Sequence, residues 1–190
     1  DLYTTLDANL MDICETSLRK RLEHTKAEWG SVVLMDVQTG EVKAMSNLDR
    51  MKDGSYEEVA NHAVVRMEPG STFKIVMSAI GLEEELVQTN TANDFLCEKS
   101  YVVDPDEEPI NCWAPRAHGY LTLTGALENS CNPSFMQLGQ RIGINRMYKY
   151  FRAFGLFDKV GTDIARVENS IFYKEDEVGP IELATMSFGQ

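Results

Sequence analysis

The sequence predicts an α/β (α+β) fold, a helical body that carries one antiparallel β-hairpin, and three observations predict it. Apolar residues recur at three- to five-residue intervals from Leu6 to Leu22, two β-rich runs meet across Gln38-Thr39-Gly40, and helical patterns return from Ser71 onward with turn-rich segments between them. With 190 residues, 43% hydrophobic and 25% charged, the chain is long enough to bury a core and too apolar for disorder. Its 18 basic and 30 acidic residues leave a net charge of −12, which opposes extended contact with phosphates, so nucleic acid is not an expected partner. The apolar stretches, such as 32–35, fall far short of the ~20 residues that span a bilayer, and no basic segment opens the chain.

Leu6, Leu10, Ile13, Leu18 and Leu22 place an apolar stripe along residues 7–27, with Arg19, Lys20 and Glu23 between them and Asp7 as a cap. Cys14 falls beside Ile13 and reads as a small core residue. Residues 31–37 and 41–45 form the hairpin strands, and Gly40 supplies the positive φ of the loop. A polar stretch over 47–69 ends in Pro69-Gly70. Residues 71–85 then carry Phe73, Ile75, Val76, Ala79, Ile80 and Leu82, apolar content that predicts a helix buried all round. Further helices are predicted over 121–128, 133–142, 145–154 and 181–187, with Gly143 and Gly155 as stops. Only two strands are convincing, and a two-stranded ribbon is marginal without partners. With no repeat and no linker in sight, residues 1–190 are expected to be one partial domain.

Chemistry enters at Ser71-Thr72-Phe73-Lys74, which sets a hydroxyl at the first turn of a helix and an amine three residues on, along the same face. A serine hydroxyl is a poor nucleophile until a base takes its proton, and a lysine kept neutral by burial is such a base. Helix N-terminal N–H groups can also stabilise an oxyanion. The spacing alone is weak evidence, because 11 Ser and 9 Lys give about 0.5 such pairs by chance. Ser17-Leu18-Arg19-Lys20 repeats it inside a charged helix, where the lysine stays solvated. Lys74 differs in its apolar neighbours, although a capping serine and an exposed lysine would look the same.

Ser130-Cys131-Asn132 is the second candidate. In a semi-extended turn Ser130 and Asn132 point one way and Cys131 points into the body, so that a hydroxyl can relay a proton to a leaving amine and an amide can hold a substrate carbonyl. Asn132 before Pro133 is equally a helix start. Cys97 and Cys112 bracket a turn-rich segment, and they are either a disulfide closing a hairpin or two unrelated thiols. A bridge would contribute about 3 kcal/mol and imply an oxidising compartment. Neither a metal site at Cys97, Cys112 and His118 nor a thiol nucleophile at Cys131 with His118 fits a known spacing rule, and no metal or organic cofactor is expected. His118-Gly119 reads as a turn, and Asp104, Asp106, Glu107 and Glu108 as a solvated tip.

Taken together, Pro69-Gly70-Ser71-Thr72-Phe73-Lys74 followed by Ser130-Cys131-Asn132 resembles the signature of penicillin-binding proteins and serine β-lactamases. Thr4-Thr5-Leu6-Asp7, Thr39-Gly40-Glu41-Val42, His118-Gly119 and Phe154-Gly155-Leu156-Phe157 extend the resemblance to the transpeptidase domain of class B penicillin-binding proteins, over nearly the whole chain. The resemblance implies a peptidoglycan D,D-transpeptidase that acts through an acyl-serine on D-Ala-D-Ala stem peptides and is a target of β-lactam antibiotics. In that scheme Ser71 is the nucleophile, Lys74 the base, Ser130 the proton relay and Asn132 the substrate-binding amide. It further implies a full-length protein anchored at the periplasmic face of the inner membrane, with a glycan polymerase and other cell-wall synthesis proteins as partners. That oxidising setting favours the Cys97–Cys112 bridge.

The family's Lys-Thr-Gly strand motif is missing. Lys159-Val160-Gly161-Thr162 is a decoy followed by Asp163, and the chain stops at Gln190. We therefore expect a fragment, truncated before that motif and inactive alone. The rivals are a β-lactamase or D,D-carboxypeptidase, in which water is the acceptor, and a non-catalytic β-lactam sensor or scaffold module.

Overall fold

The computed structural model describes residues 3–164 and 167–190, which mix helices and strands and divide into two compact units. The first holds the described residues up to Arg66 together with those of the Thr162–Glu168 segment. Its helix α1 (Ala8–Thr25) starts where the Asp7 carboxylate accepts the N–H groups of Asn9 and Leu10 at 2.9 and 3.0 Å. It stops where Lys26 turns left-handed at φ 55° and donates its N–H to Leu22. The hairpin strands β1 (Trp29–Met35) and β2 (Val42–Arg50) are antiparallel, and Gly40 at φ +74° closes the loop beside Asp36, whose carboxylate accepts from Gln38 and Thr39. A short β3 (Tyr56–Glu57) extends the sheet in the order β1-β2-β3.

Close approach of α1 to the sheet makes this small core. Gly30 lies under Leu18 and Leu22, and a Cβ there would stand 2.9 Å from both. Leu48 and Tyr56 complete the cluster, and the Tyr56 hydroxyl donates to the carbonyls of Leu22 and Ala27 at 3.0 and 2.8 Å. The stripe predicted along α1 is only partly used. Leu18 and Leu22 are buried, whereas Ile13 is 59% exposed and Cys14 is half-buried rather than a core residue.

The second unit spans Met67–Gly161 and Asn169–Gln190. A 3-10 turn, Gly70–Phe73, runs into α2 (Lys74–Glu83). Lys74, Met77, Ser78, Ile80 and Gly81 are buried, but Ile75 is 64% exposed, so the helix buries one face and not its whole circumference. It packs against α3 (Leu123–Glu128) and α4 (Asn132–Ile142), and α4, at the centre, also meets α5 (Ile144–Ala153) and α6 (Pro180–Met186). Pro133 pre-sets the first turn of α4 and Gly143, at φ +74°, ends it. Phe135, Met136, Leu138 and Ile142 are sealed from solvent among Met77, Ile80, Phe95, Met147 and Phe151.

This unit also holds four short strands, of which the sequence anticipated only a hairpin between Cys97 and Cys112. β4 (Phe95–Cys97) pairs with β7 (Gly119–Leu121), and β5 (Ser100–Tyr101) pairs with β6 (Ile110–Asn111), each antiparallel. Two or three residues are too few to show a period of two. The hairpin expected between Cys97 and Cys112 is the β5–β6 pair, with Asp106, Glu107 and Glu108 exposed between its strands. Lys159, Val160 and Thr162 lie in exposed loop outside any strand.

Candidate active site

Ser71 is exposed in the 3-10 turn, and the turn is clamped from the end of α6. Gly70, at φ +58°, donates its N–H to the Gly189 carbonyl at 3.1 Å. The backbones come so close that a Cβ on Gly189 would lie 2.0 Å from the Gly70 carbonyl oxygen. Thr72 folds its hydroxyl back onto the Pro69 carbonyl at 2.6 Å. Lys74 begins α2 one turn further on, and its side chain points inward with no solvent exposure.

The Lys74 amine gathers four oxygens: Ser71 Oγ at 3.2 Å, the Ser130 carbonyl at 2.8 Å, Ser130 Oγ at 3.0 Å and Asn132 Oδ1 at 2.6 Å. None of them is a carboxylate. The carbonyl and the amide oxygen can only accept, so they take two N–H bonds. A neutral amine then has no further proton to give and one lone pair free, which is what a serine hydroxyl needs for its own proton. Burial drives the group toward this state and lowers the lysine pKa to about 8, while the thiols of Cys131 and Cys112, when ionised, pull the other way. The structure thus brings all four sequence-predicted site residues into one cluster. Ser17 and Lys20, with the same spacing, are both exposed.

The turn that presents Ser130 is not semi-extended. Ser130 is left-handed at φ 48°, a conformation that costs a non-glycine residue about 1–2 kcal/mol. In it both the carbonyl and the hydroxyl reach Lys74, and Cys131 goes fully inside. The Ser130 N–H donates to Leu127 and the Cys131 N–H to Ala126, at 3.0 and 2.9 Å. Sequence reasoning missed Trp113, whose indole N–H reaches the Asn129 and Ser130 carbonyls, each at 3.1 Å. The one available signal was a tryptophan directly after a cysteine, in a loop 66% exposed at that residue.

The expected Cys97–Cys112 bridge is corrected: all four cysteines are free thiols. Cys97 ends β4, Cys112 follows β6, and both sulphurs turn to a point shared with the Cys131 sulphur and His118 Nδ1, the four atoms within 4.8 Å of one another. The spacing argument against a cluster at these residues therefore fails, because separate elements supply it. Cys131 does not suit the role of nucleophile, since burial pushes its thiol up to about 12 and leaves no surface exposed.

Residues 30–190 match the penicillin binding protein transpeptidase domain. Stage V sporulation protein D of Bacillus subtilis is 32% identical over the whole chain, which covers 30% of that protein. The peptidoglycan D,D-transpeptidase FtsI of Escherichia coli is 28% identical over the whole chain and is covered over 32% of its length. The chain thus spans about a third of the length of these curated relatives. Among solved structures, penicillin binding protein 3 of Mycobacterium tuberculosis complexed with ampicillin superposes with a TM-score of 0.81 at 26% identity, covering 97% of this chain and 42% of the other. The transpeptidase domain of Burkholderia pseudomallei penicillin-binding protein 3 gives a TM-score of 0.83 at 24% identity, over 98% and 52%.

Proposed function

The chain belongs to the penicillin-binding protein transpeptidase family, and from that premise and the contacts of one buried amine we propose that it carries the acylating half of a peptidoglycan D,D-transpeptidase site. The observation that carries the reading is Lys74, carboxylate-free and bonded at once to Ser71, Ser130 and Asn132. Ser71 Oγ attacks the carbonyl carbon of the penultimate D-alanine of a stem peptide, and Lys74 accepts the hydroxyl proton. The tetrahedral intermediate collapses with cleavage of the C–N bond. Ser130 Oγ gives its proton to the departing D-alanine nitrogen and regains one from Lys74, a transfer its 3.0 Å contact supports. An acceptor amine then attacks the acyl-serine ester along the same path in reverse. Asn132 holds the donor peptide amide.

A β-lactam offers the same carbonyl chemistry and acylates the same hydroxyl, a reading supported by the ampicillin complex of the similar M. tuberculosis protein. We place the reaction at the periplasmic face of the inner membrane, with stem peptides as substrate and a glycan polymerase as the partner that supplies the strands. Among the described residues, no helix is long and apolar enough to cross a membrane.

The test is to treat the full-length protein with a fluorescent penicillin, digest it and locate the adduct by mass spectrometry. The adduct is expected on the peptide containing Ser71, and Ser71→Ala removes it. An adduct on another residue, or no adduct in a folded protein that turns over stem peptides, overturns the reading.

A further inference from the structure

We propose that Cys97, Cys112, His118 and Cys131 form a tetrahedral zinc site that holds the Ser130–Asn132 turn against Lys74. Zinc bonds thiolate sulphur at about 2.3 Å and imidazole nitrogen at about 2.0–2.1 Å, so a Cys3His tetrahedron sets its sulphurs about 3.8 Å apart and sulphur and nitrogen about 3.6 Å apart. His118 Nδ1 lies 3.5 Å from Cys97 Sγ and 3.7 Å from Cys112 Sγ, and no pair in the set exceeds 4.8 Å. Three fully or almost fully buried sulphurs, at 0%, 4% and 0% exposure, converge with one imidazole nitrogen. A disulfide would use two of the sulphurs and leave the third and the imidazole without a role, whereas a four-coordinate ion uses every one.

Ligand chemistry selects the metal. Three soft sulphurs and a nitrogen suit zinc and exclude calcium and magnesium, which require oxygen. Four protein ligands close the coordination shell, so the ion is structural and carries no reactive water. Binding releases three thiol protons to solvent. His118 ligates through Nδ1 as neutral imidazole with its proton on Nε2, and the site bears one net negative charge.

The four ligands sit on four separate pieces of chain: the end of β4, the residue after β6, the residue before β7, and the N-cap of α4. A metal–sulphur bond at Cys131 fixes the one residue between Ser130 and Asn132. It thereby sustains the left-handed Ser130 backbone, whose carbonyl and hydroxyl both bind Lys74. The cysteines and His118 are positioning residues and touch no substrate.

The experiment uses the full-length protein isolated without chelators. Elemental analysis should find one zinc per chain, and replacement by cobalt should give the intense visible bands of a tetrahedral ion with thiolate charge-transfer absorption. Cys112→Ser should lower the zinc content at least tenfold, and Cys112→His, which restores a ligand, should recover most of it. These readouts do not depend on the transpeptidase reading. The coupling to the site does rest on it: stripping zinc should slow acylation by a fluorescent penicillin at least tenfold, with full return on adding zinc alone. Metal-free protein without a cobalt spectrum, or a disulfide joining any two of these cysteines, overturns the site. Stoichiometric zinc whose removal leaves the acylation rate unchanged overturns the positioning role, and Ser71 labelling then still stands as a separate result.

Discussion

Ser17 and Lys20 lie one turn apart on the exposed side of α1, and Ser71 and Lys74 lie one turn apart where a 3-10 turn enters α2. In the first pair the amine is in water, with Arg19 occupied by Glu15 at 2.8 Å. In the second the amine is out of solvent and meets Ser130 and Asn132 from 56 and 58 residues further along the chain. Identical spacing thus gives a solvated surface or a candidate base. The difference lies in what packs over the lysine: the centroid of the Phe135 ring stands 5.5 Å from the Lys74 nitrogen, and no carboxylate is among the groups bonded to it. Desolvation without a counter-ion lowers a lysine's pKa, so that near neutral pH part of it is the free amine that can take a proton.

Four expected outcomes bear on that comparison, in order of size. Ser71→Ala should reduce penicillin acylation of the full-length protein by at least ~10³-fold, as loss of a nucleophile does, while Ser17→Ala leaves it unchanged. Equal loss from both would end the distinction. Lys74→Met should cost ~10²–10⁴-fold in the acylation rate constant, and Lys74→Arg a similar amount, because a guanidinium cannot give up its proton. Lys20→Met should have no effect on stopped-flow traces.

Third, Asn132→Ala should cost about tenfold to a hundredfold, the worth of a hydrogen bond to a polar substrate group. The loss should be smaller than that of Ser130→Ala, at ~10²-fold for a proton relay. The reverse order would move the proton path away from Ser130. Fourth, the acylation rate should rise with pH through a midpoint of about 8. Burial disfavours the ammonium form, and only the amine accepts the Ser71 proton, so rate follows deprotonation. A rate that falls as pH rises through 8 would remove Lys74 from the role of base.

Most helices were legible because their signals are local. Asp7, Gly40, Pro133 and Gly143 act within a few residues of themselves, and all four perform in the structure as their residue types require. The β5–β6 pair was legible only as a turn-rich hairpin and β4 and β7 not at all, since strands of two or three residues gain their identity from a partner and not from a pattern. Burial was overread for the same reason. Ile75 and Ile13 are apolar, but nothing local says which side of a helix finds a neighbour. Trp113 was missed because its role depends on the carbonyls of a distant turn.

The sequence by itself determined the fold class, the positions of the main helices and hairpin, and the four residues Ser71, Lys74, Ser130 and Asn132 as a set worth testing. These depend on periodicity, capping chemistry and short motifs, which act over one or two turns of chain. Only the tertiary structure decided which distant groups meet the Lys74 amine, and that Cys97 and Cys112 are not a pair but half of a convergence with Cys131 and His118. Desolvation and ligand geometry are properties of a point in space, and the side chains that meet at that point come from segments whose separation along the chain carries no rule.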